Sequence, residues 1–221
     1  MLTISVSSEF SERVPQFRGA FLEATVQNSA TSPKLWAEIE ASCEKLQADF
    51  TTETIKSRSS IAATRAAYKA CGKDPSRYRP ASEQLSRRVL QGKGLYSVDT
   101  LVDLGNLVSI FSGYPTGLLD ADKIVGESVE LGIGRADEPY EGIGRGRLNI
   151  EGLPVYRDAV GAIASPTSDS TRTMLSPTTS RLLFIINGYD GDEQLLQESI
   201  DLAQDLLQRY AHAGEARVMK F

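Results

Sequence analysis

Gly113-Tyr114-Pro115-Thr116-Gly117-Leu118-Leu119-Asp120-Ala121-Asp122-Lys123-Ile124-Val125-Gly126 is the stretch where the chain changes character. Upstream of it, apolar residues recur at helical steps. Trp36, Ile39, Cys43, Leu46 and Phe50 follow Ser32-Pro33, a cap residue and a first-turn proline, which predicts an amphipathic helix. Further helices are expected over 59–71, closed by Gly72, from Ser82 to the Gly92 stop, and over 97–112. Downstream, glycines from Gly126 to Gly152 punctuate short runs of Val, Ile and Leu, the pattern of short strands joined by turns. Strands are expected over 117–124, 128–135, 147–150, 154–158, 160–164 and 181–186, with 217–221 returning as an edge strand. Residues 165–180, rich in Ser, Thr and Pro, read as a loop, and 194–211 as a last helix with a broad apolar face. The fold class is α+β: N-terminal helices on a mostly antiparallel sheet, with a long C-terminal helix. One domain over 1–221 is expected, with a helical extension about 1–76, a core about 77–186, and the last helix and edge strand in 187–221.

Composition narrows the function classes. The 221 residues are 41% hydrophobic and 24% charged, too apolar for a disordered chain. The longest apolar run, 182–186, falls far short of the roughly 18 to 20 residues a membrane span needs. Residues 1–10 lack a basic start followed by an apolar stretch, so no signal peptide is read there and the cytoplasm is the expected location. Cys43 and Cys71 read as reduced core residues, and the lone His212, near the end of the last helix, suits the helix dipole. No metal site and no cofactor are expected. Chemistry would run on carboxylates, hydroxyls, Lys or Arg and backbone groups. Gly132-x-Gly134 and Gly142-x-Gly144-x-Gly146 lack the full phosphate-binding pattern and read as tight turns or close backbone approaches.

Charge is uneven. Between Lys56 and Lys93 stand ten Lys or Arg against two acids, +8 in a chain of net −5. Either an electropositive face meets an anionic partner, or this is a solvated helical face. Arg77, Tyr78 and Arg79, followed by Arg87 and Arg88, mix cations with an aromatic, which suits phosphate contact and base stacking on single-stranded RNA. Packing of Tyr78 into the core with arginine stems around it is the alternative.

The ordered series Val102-Asp103-x-x-Asn106, Gly113-x-Pro115, then Asp120-Ala121-Asp122-Lys123-Ile124-x-Gly126 carries a resemblance. Residues 77–179 resemble the editing domain, third and fourth modules, of the phenylalanyl-tRNA synthetase beta subunit, which also occurs as a free-standing tRNA-binding protein. The resemblance implies a pocket that receives the aminoacylated 3′ end of tRNA and hydrolyses a wrongly attached amino acid. No metal is needed, because positioning and hydrogen bonds can supply much of the acceleration for an activated ester.

Several residues acquire candidate roles from it. Asn106 and Pro115 fall on matching positions of the pocket, while Asp103 and Asn106 have an alternative reading as pins of the following turn. Gly117 stands where the family has a histidine that helps recognise the amino acid, so the tyrosine selectivity of the family is not implied here. Glu138 or Glu141 lies near the family's pocket glutamate, and Glu141 is taken as the catalytic candidate. Asp158 joins Asp169-Ser170-Thr171-Arg172 as a carboxylate, hydroxyl and guanidinium set able to hold a carboxylate or phosphate and an ordered water. Asp169 and Thr171 are the other catalytic candidates; Asp158, Ser170 and Arg172 are substrate-binding ones, and Asp169 is the only local acid expected beside Arg172. A loop held by its own Asx and Ser/Thr turns is the alternative.

Three functions follow as expectations. The first is a tRNA-binding, editing-like protein that hydrolyses a mischarged amino acid from the tRNA acceptor end in trans. The second is an inactive binder of a free amino acid or small metabolite that keeps the pocket, which Gly117 favours. The third is an RNA-binding module without chemistry. No membrane or DNA partner is expected. The first reading requires the turn around Gly117 and the stretch ending at Arg172 to line one cleft.

Overall fold

The computed structural model describes residues 2–221. In chain order the elements are β1 (Thr3–Val6), α1 (Ser8–Arg13), β2 (Arg18–Thr25), α2 (Pro33–Asp49), α3 (Ser59–Ala70), α4 (Ala81–Leu90) and α5 (Thr100–Ser112). There follow β3 (Thr116–Asp120), β4 (Ser128–Ile133), β5 (Glu141–Gly142), β6 (Gly146–Arg147), β7 (Pro154–Arg157), β8 (Ala162–Ala164), β9 (Arg181–Gly188), α6 (Glu193–Tyr210) and β10 (Arg217–Lys220). Helix starts follow local capping chemistry. Ser32, Asp99 and Asp192 each accept a hydrogen bond from the backbone N–H three residues on, satisfying a donor the first helical turn leaves free. α5 stops at Gly113, whose φ of 75° lets the chain leave the helix in the left-handed region.

Two four-stranded sheets stack, ordered β10-β2-β9-β3 and β1-β4-β7-β8. The central pairing runs antiparallel from Arg18 opposite Gly188 to Thr25 opposite Arg181, and only β1 with β4 is parallel among the strand pairs described. Successive residues of β9 face opposite sides. Leu182, Phe184 and Ile186 join Leu101, Leu104 and Val108 of α5 and Ile200, Leu206 and Leu207 of α6. Leu183 and Ile185 join Val129, Leu131, Tyr156 and Ile163 of the second sheet. The result is three layers, helices on sheet on sheet. Coverage on both faces explains why β9 is apolar without interruption.

The α+β class, the helices and the long last helix match the sequence reading. The segment 1–76, expected as a helical extension, carries α1, α2 and α3 but also two strands, β1 on the edge of one sheet and β2 inside the other. Arg18-Gly19-Ala20-Phe21-Leu22-Glu23-Ala24-Thr25 lacks clean alternation because both its faces are covered, so periodicity alone does not expose it. The strand expected over 117–124 ends at Asp120, whose side chain accepts from the Asp122 N–H and turns the chain into a 3-10 turn at Ala121–Lys123. Over 147–150 only Arg147 pairs, and 158–161 form the turn between β7 and β8, held by Asp158.

Candidate active site at the Asp169 cavity

A cavity of about 450 Å³ opens between α4, α5, β3 and the loops around 143–145 and 167–175. α5 turns Asp99, Val102, Asn106 and Ser109 toward it at steps of three and four. α4 contributes Ala81, Gln84 and Leu85, and β3 contributes Thr116 and Leu118. Alternation along β3 aims these two outward toward the cavity while Gly117 between them is buried. Asn106 is partly exposed, and among the described residues nothing hydrogen-bonds its amide, so it can both donate to and accept from a ligand. Asp103 instead accepts from Ser97 Oγ at 2.8 Å, Thr31 Oγ1 at 2.5 Å and the Val98 N–H, which pins the entry to α5. The two acidic and amide positions of the same helix thus have separate jobs.

Asp169 stands on the wall of this cavity. The loop that carries it is clamped: Tyr140 donates to the Ser168 carbonyl at 2.6 Å, Tyr68 meets Thr167 at 2.9 Å, and the Ala81 N–H donates to the Pro166 carbonyl. The Ile143 N–H donates to the carbonyl of Asp169 itself. The carboxylate lines the cavity, accepts from the Leu118 N–H at 3.2 Å and has no cationic partner among the described residues. Burial pushes its pKa up to about 7, against the opposing pull of the Leu118 N–H. A Cβ on Gly117 would stand 3.2 Å from Asp169 Oδ1 and 3.6 Å from Oδ2. Glycine at 117 therefore leaves the room that the carboxylate occupies.

The single cleft expected between the turn around Gly117 and the stretch ending at Arg172 forms only in part: of that stretch Asp169 reaches it, and the rest lines another hollow. Thr116, Leu118, Asn106 and Asp169 face the first cavity. Ser170, Thr171, Arg172, Asp158 and Glu141 face a second, wider hollow that Glu138, Arg147 and Arg157 also line. Ser170 is extended and bridges Gly142, so neighbours along the chain project to opposite sides there. Arg172 is engaged by Asp158, not Asp169, through two hydrogen bonds of 2.7 and 2.8 Å. Asp158 is buried, which raises a carboxylate's pKa, yet Arg172 and the N–H groups of Val125, Val160 and Gly161 hold it at about 2. It remains charged, with Arg172 and the turn on its oxygens. Ser170 Oγ accepts from the Arg172 N–H as a cap. Glu141 is exposed on β5, whereas Glu138 is bound by Arg157 at 2.6 and 2.7 Å. Pro115 is buried, its carbonyl accepting from both the backbone and the side chain of Asn187.

Much of the basic stretch serves the interior. Glu83, fully buried on α4, is met by Arg65 at 2.9 Å, Arg87 at 2.8 Å and Arg79 at 3.6 Å. Arg87 also donates to the Thr52 carbonyl, and Arg58 caps the last carbonyls of α5 at Ile110 and Phe111. Of the four arginines expected to meet RNA, Arg79 and Arg87 are thus bound to Glu83. Arg77 lies exposed over Tyr78, and Arg88 lies over the Tyr96 ring. Tyr78 is itself half-buried against Leu153 and its neighbours, with Lys73 on its ring.

Sequence reasoning took the turn from Pro115 to Asp120 as pocket-lining, which covers Thr116 and Leu118, and missed Gln84, Leu85, Ile143 and Arg145 as cavity residues. The spacing of Gln84 and Leu85 from Ala81 along α4 was the available signal. For Arg145, in the glycine-rich turn, there was none, since only the tertiary fold brings it to Gln84 Oε1. Cys71 is buried with its thiol pushed up to about 11 by burial, and His212 is exposed beyond α6. Among the described residues no group of three or more His, Cys, Asp or Glu is placed to hold a metal ion. No helix among them is long and apolar enough to cross a membrane.

Comparison with known proteins adds two findings. The family model described as the B3/4 domain matches residues 63–212. The phenylalanine–tRNA ligase beta subunit of Mycoplasma genitalium is 38% identical over 89 residues, 39% of this chain and 11% of that protein. The chain therefore spans only about a tenth of the length of this curated relative.

Proposed function

Because the chain belongs to the B3/4 domain family, we propose that its Asp169 cavity receives the aminoacyl end of a tRNA and that Asp169 hydrolyses the ester there. The observation that carries this reading is a carboxylate on a cavity wall, without a cation, with a pKa raised to about 7. A general base works best when its pKa lies near the working pH. In the proposed step water gives a proton to Asp169 while its oxygen bonds to the ester carbonyl carbon. Collapse breaks the bond to the ribose oxygen, which takes that proton back, leaving free amino acid and tRNA. The Asn106 amide is free to hold the amino acid or the developing oxyanion. Leu85, Val102, Leu118 and Leu175 give the side chain an apolar wall. Arg77 and Arg88 are the cations of the expected RNA set left for phosphate contacts.

Gly117 favours a second reading, an amino-acid or small-metabolite binder without hydrolysis, since the family histidine is absent there. One experiment separates the two: release of amino acid from a panel of mischarged tRNAs by this chain and by its Asp169→Asn variant. Turnover that Asn abolishes, with a rate rising through about pH 7, supports the ester hydrolase. Binding of free amino acid with no turnover on any tRNA supports the second reading and ends the first.

A further inference from the structure

We propose that Tyr96, backed by Arg88, is a stacking platform for a nucleobase at the mouth of the Asp169 cavity, and that its occupant is the unpaired 3′ end of an RNA. The inference deepens the tRNA reading of the cavity and rests on it. Tyr96 is 71% exposed, the most exposed of the large apolar side chains among the described residues. The Arg88 guanidinium carbon lies 3.8 Å from the centre of its ring. With one side of the ring held by the cation, its exposed surface is open to a planar partner. No carboxylate pairs with Arg88 among the described residues, and its buried Nε finds no acceptor. Its NH2 group makes only a long contact of 3.4 Å to the Lys93 carbonyl. The charge is therefore held in place by packing on the ring and left for a ligand.

Chain connectivity sets the platform within a few residues of groups that line the cavity, though neither Arg88 nor Tyr96 lines it itself. Arg88 stands one helical turn beyond Gln84 and Leu85 on α4, both of which line the cavity. Tyr96 is two residues before Val98, which lines it too and is 64% exposed. Ile143 and Met174, also exposed, complete an apolar rim. Lys93, whose carbonyl takes the Arg88 contact, is exposed, and Arg145 lines the cavity with its guanidinium on Gln84. Flat apolar surface, an aromatic ring and unpaired cations together match a single strand, whose bases stack and whose phosphates are anionic. An acidic peptide would use the cations and leave the ring without a planar partner.

The test uses a short single-stranded RNA ending in CCA, carrying no amino acid and labelled at its 5′ end, titrated by fluorescence anisotropy. Tyr96→Ala is expected to weaken binding about tenfold or more, while Tyr96→Phe stays within about twofold of wild type. Arg88→Gln is expected to reduce both affinity and its dependence on salt. Equal affinity of wild type and Tyr96→Ala, equal loss in Phe and Ala, or tighter binding of a blunt duplex than of the CCA strand would overturn the platform. Failure of hydrolysis with Tyr96-dependent binding intact would count against the esterase reading alone; lost Tyr96 dependence with hydrolysis intact would count against the platform alone.

Discussion

Replacing Asp169 with Asn should make the protein more stable and less active, and the gain in stability should grow with pH. The carboxyl has an ordinary pKa of 3.8 when unfolded and about 7 in the folded chain. Between these values the folded state binds a proton that the unfolded state has released, so the wild type loses stability as pH rises from about 4 to about 7. A difference of about three pKa units corresponds to ~4 kcal/mol at most, fully present above about pH 8. Roughly a third of it is already present at about pH 5, because the unfolded carboxyl is ionised there. Asn cannot ionise, yet its carbonyl can still accept from the Leu118 N–H, so the variant isolates the charge. Asp169 is partly exposed, and water in the cavity will reduce the figure. Urea denaturation of both proteins at about pH 5 and about pH 8.5 should show the Asn variant gaining, by up to roughly 2–3 kcal/mol more at the higher pH. A gain that is the same at both pH values, or a wild type that becomes more stable relative to Asn as pH rises, would refute the account of this carboxylate.

Glu83→Gln leaves three arginines around a neutral buried group and should cost about 3–5 kcal/mol in denaturant titrations. Asp158→Asn should destabilise near neutral pH, and the deficit should vanish in acid. The charged form is favoured above the ordinary carboxylate pKa, and that stability disappears as pH falls through about 2, which melting curves across the acid range would follow. Gly117→Ala sets a methyl 3.2 Å from Asp169 Oδ1; single-turnover deacylation should slow by roughly tenfold or more while the melting temperature changes little. Gly134→Ala would place its Cβ 1.9 Å from the Ile150 carbonyl oxygen, so the backbone must shift, at a cost of roughly 1–3 kcal/mol or more in thermal unfolding.

Helices were readable where one face alone is buried. α6 has its apolar residues on one broad stripe, and α2 begins at a Ser-Pro pair whose Ser32 is seen to cap it. β2 was not readable, because a strand covered on both faces has no alternation to display, and its alanines and glycine carry little strand preference. In the site, Asn106 and Asp169 were both legible as candidates. The partner of Arg172 was not: fourteen residues separate it from Asp158, and local spacing pointed to Asp169.

Chain order by itself determined the class of fold, the cap chemistry of the helices and the short list of groups able to do chemistry, since these depend on residue type and on neighbours a few positions away. Which of those groups share a cavity was decided only by the tertiary structure. The strand-like backbone at Ser170 sends adjacent side chains to opposite sides, and the burial that raises one carboxylate and the ion pair that lowers another come from residues far away in sequence. Charges counted along the basic stretch likewise gained their meaning from Glu83, which folding brings beneath three of them.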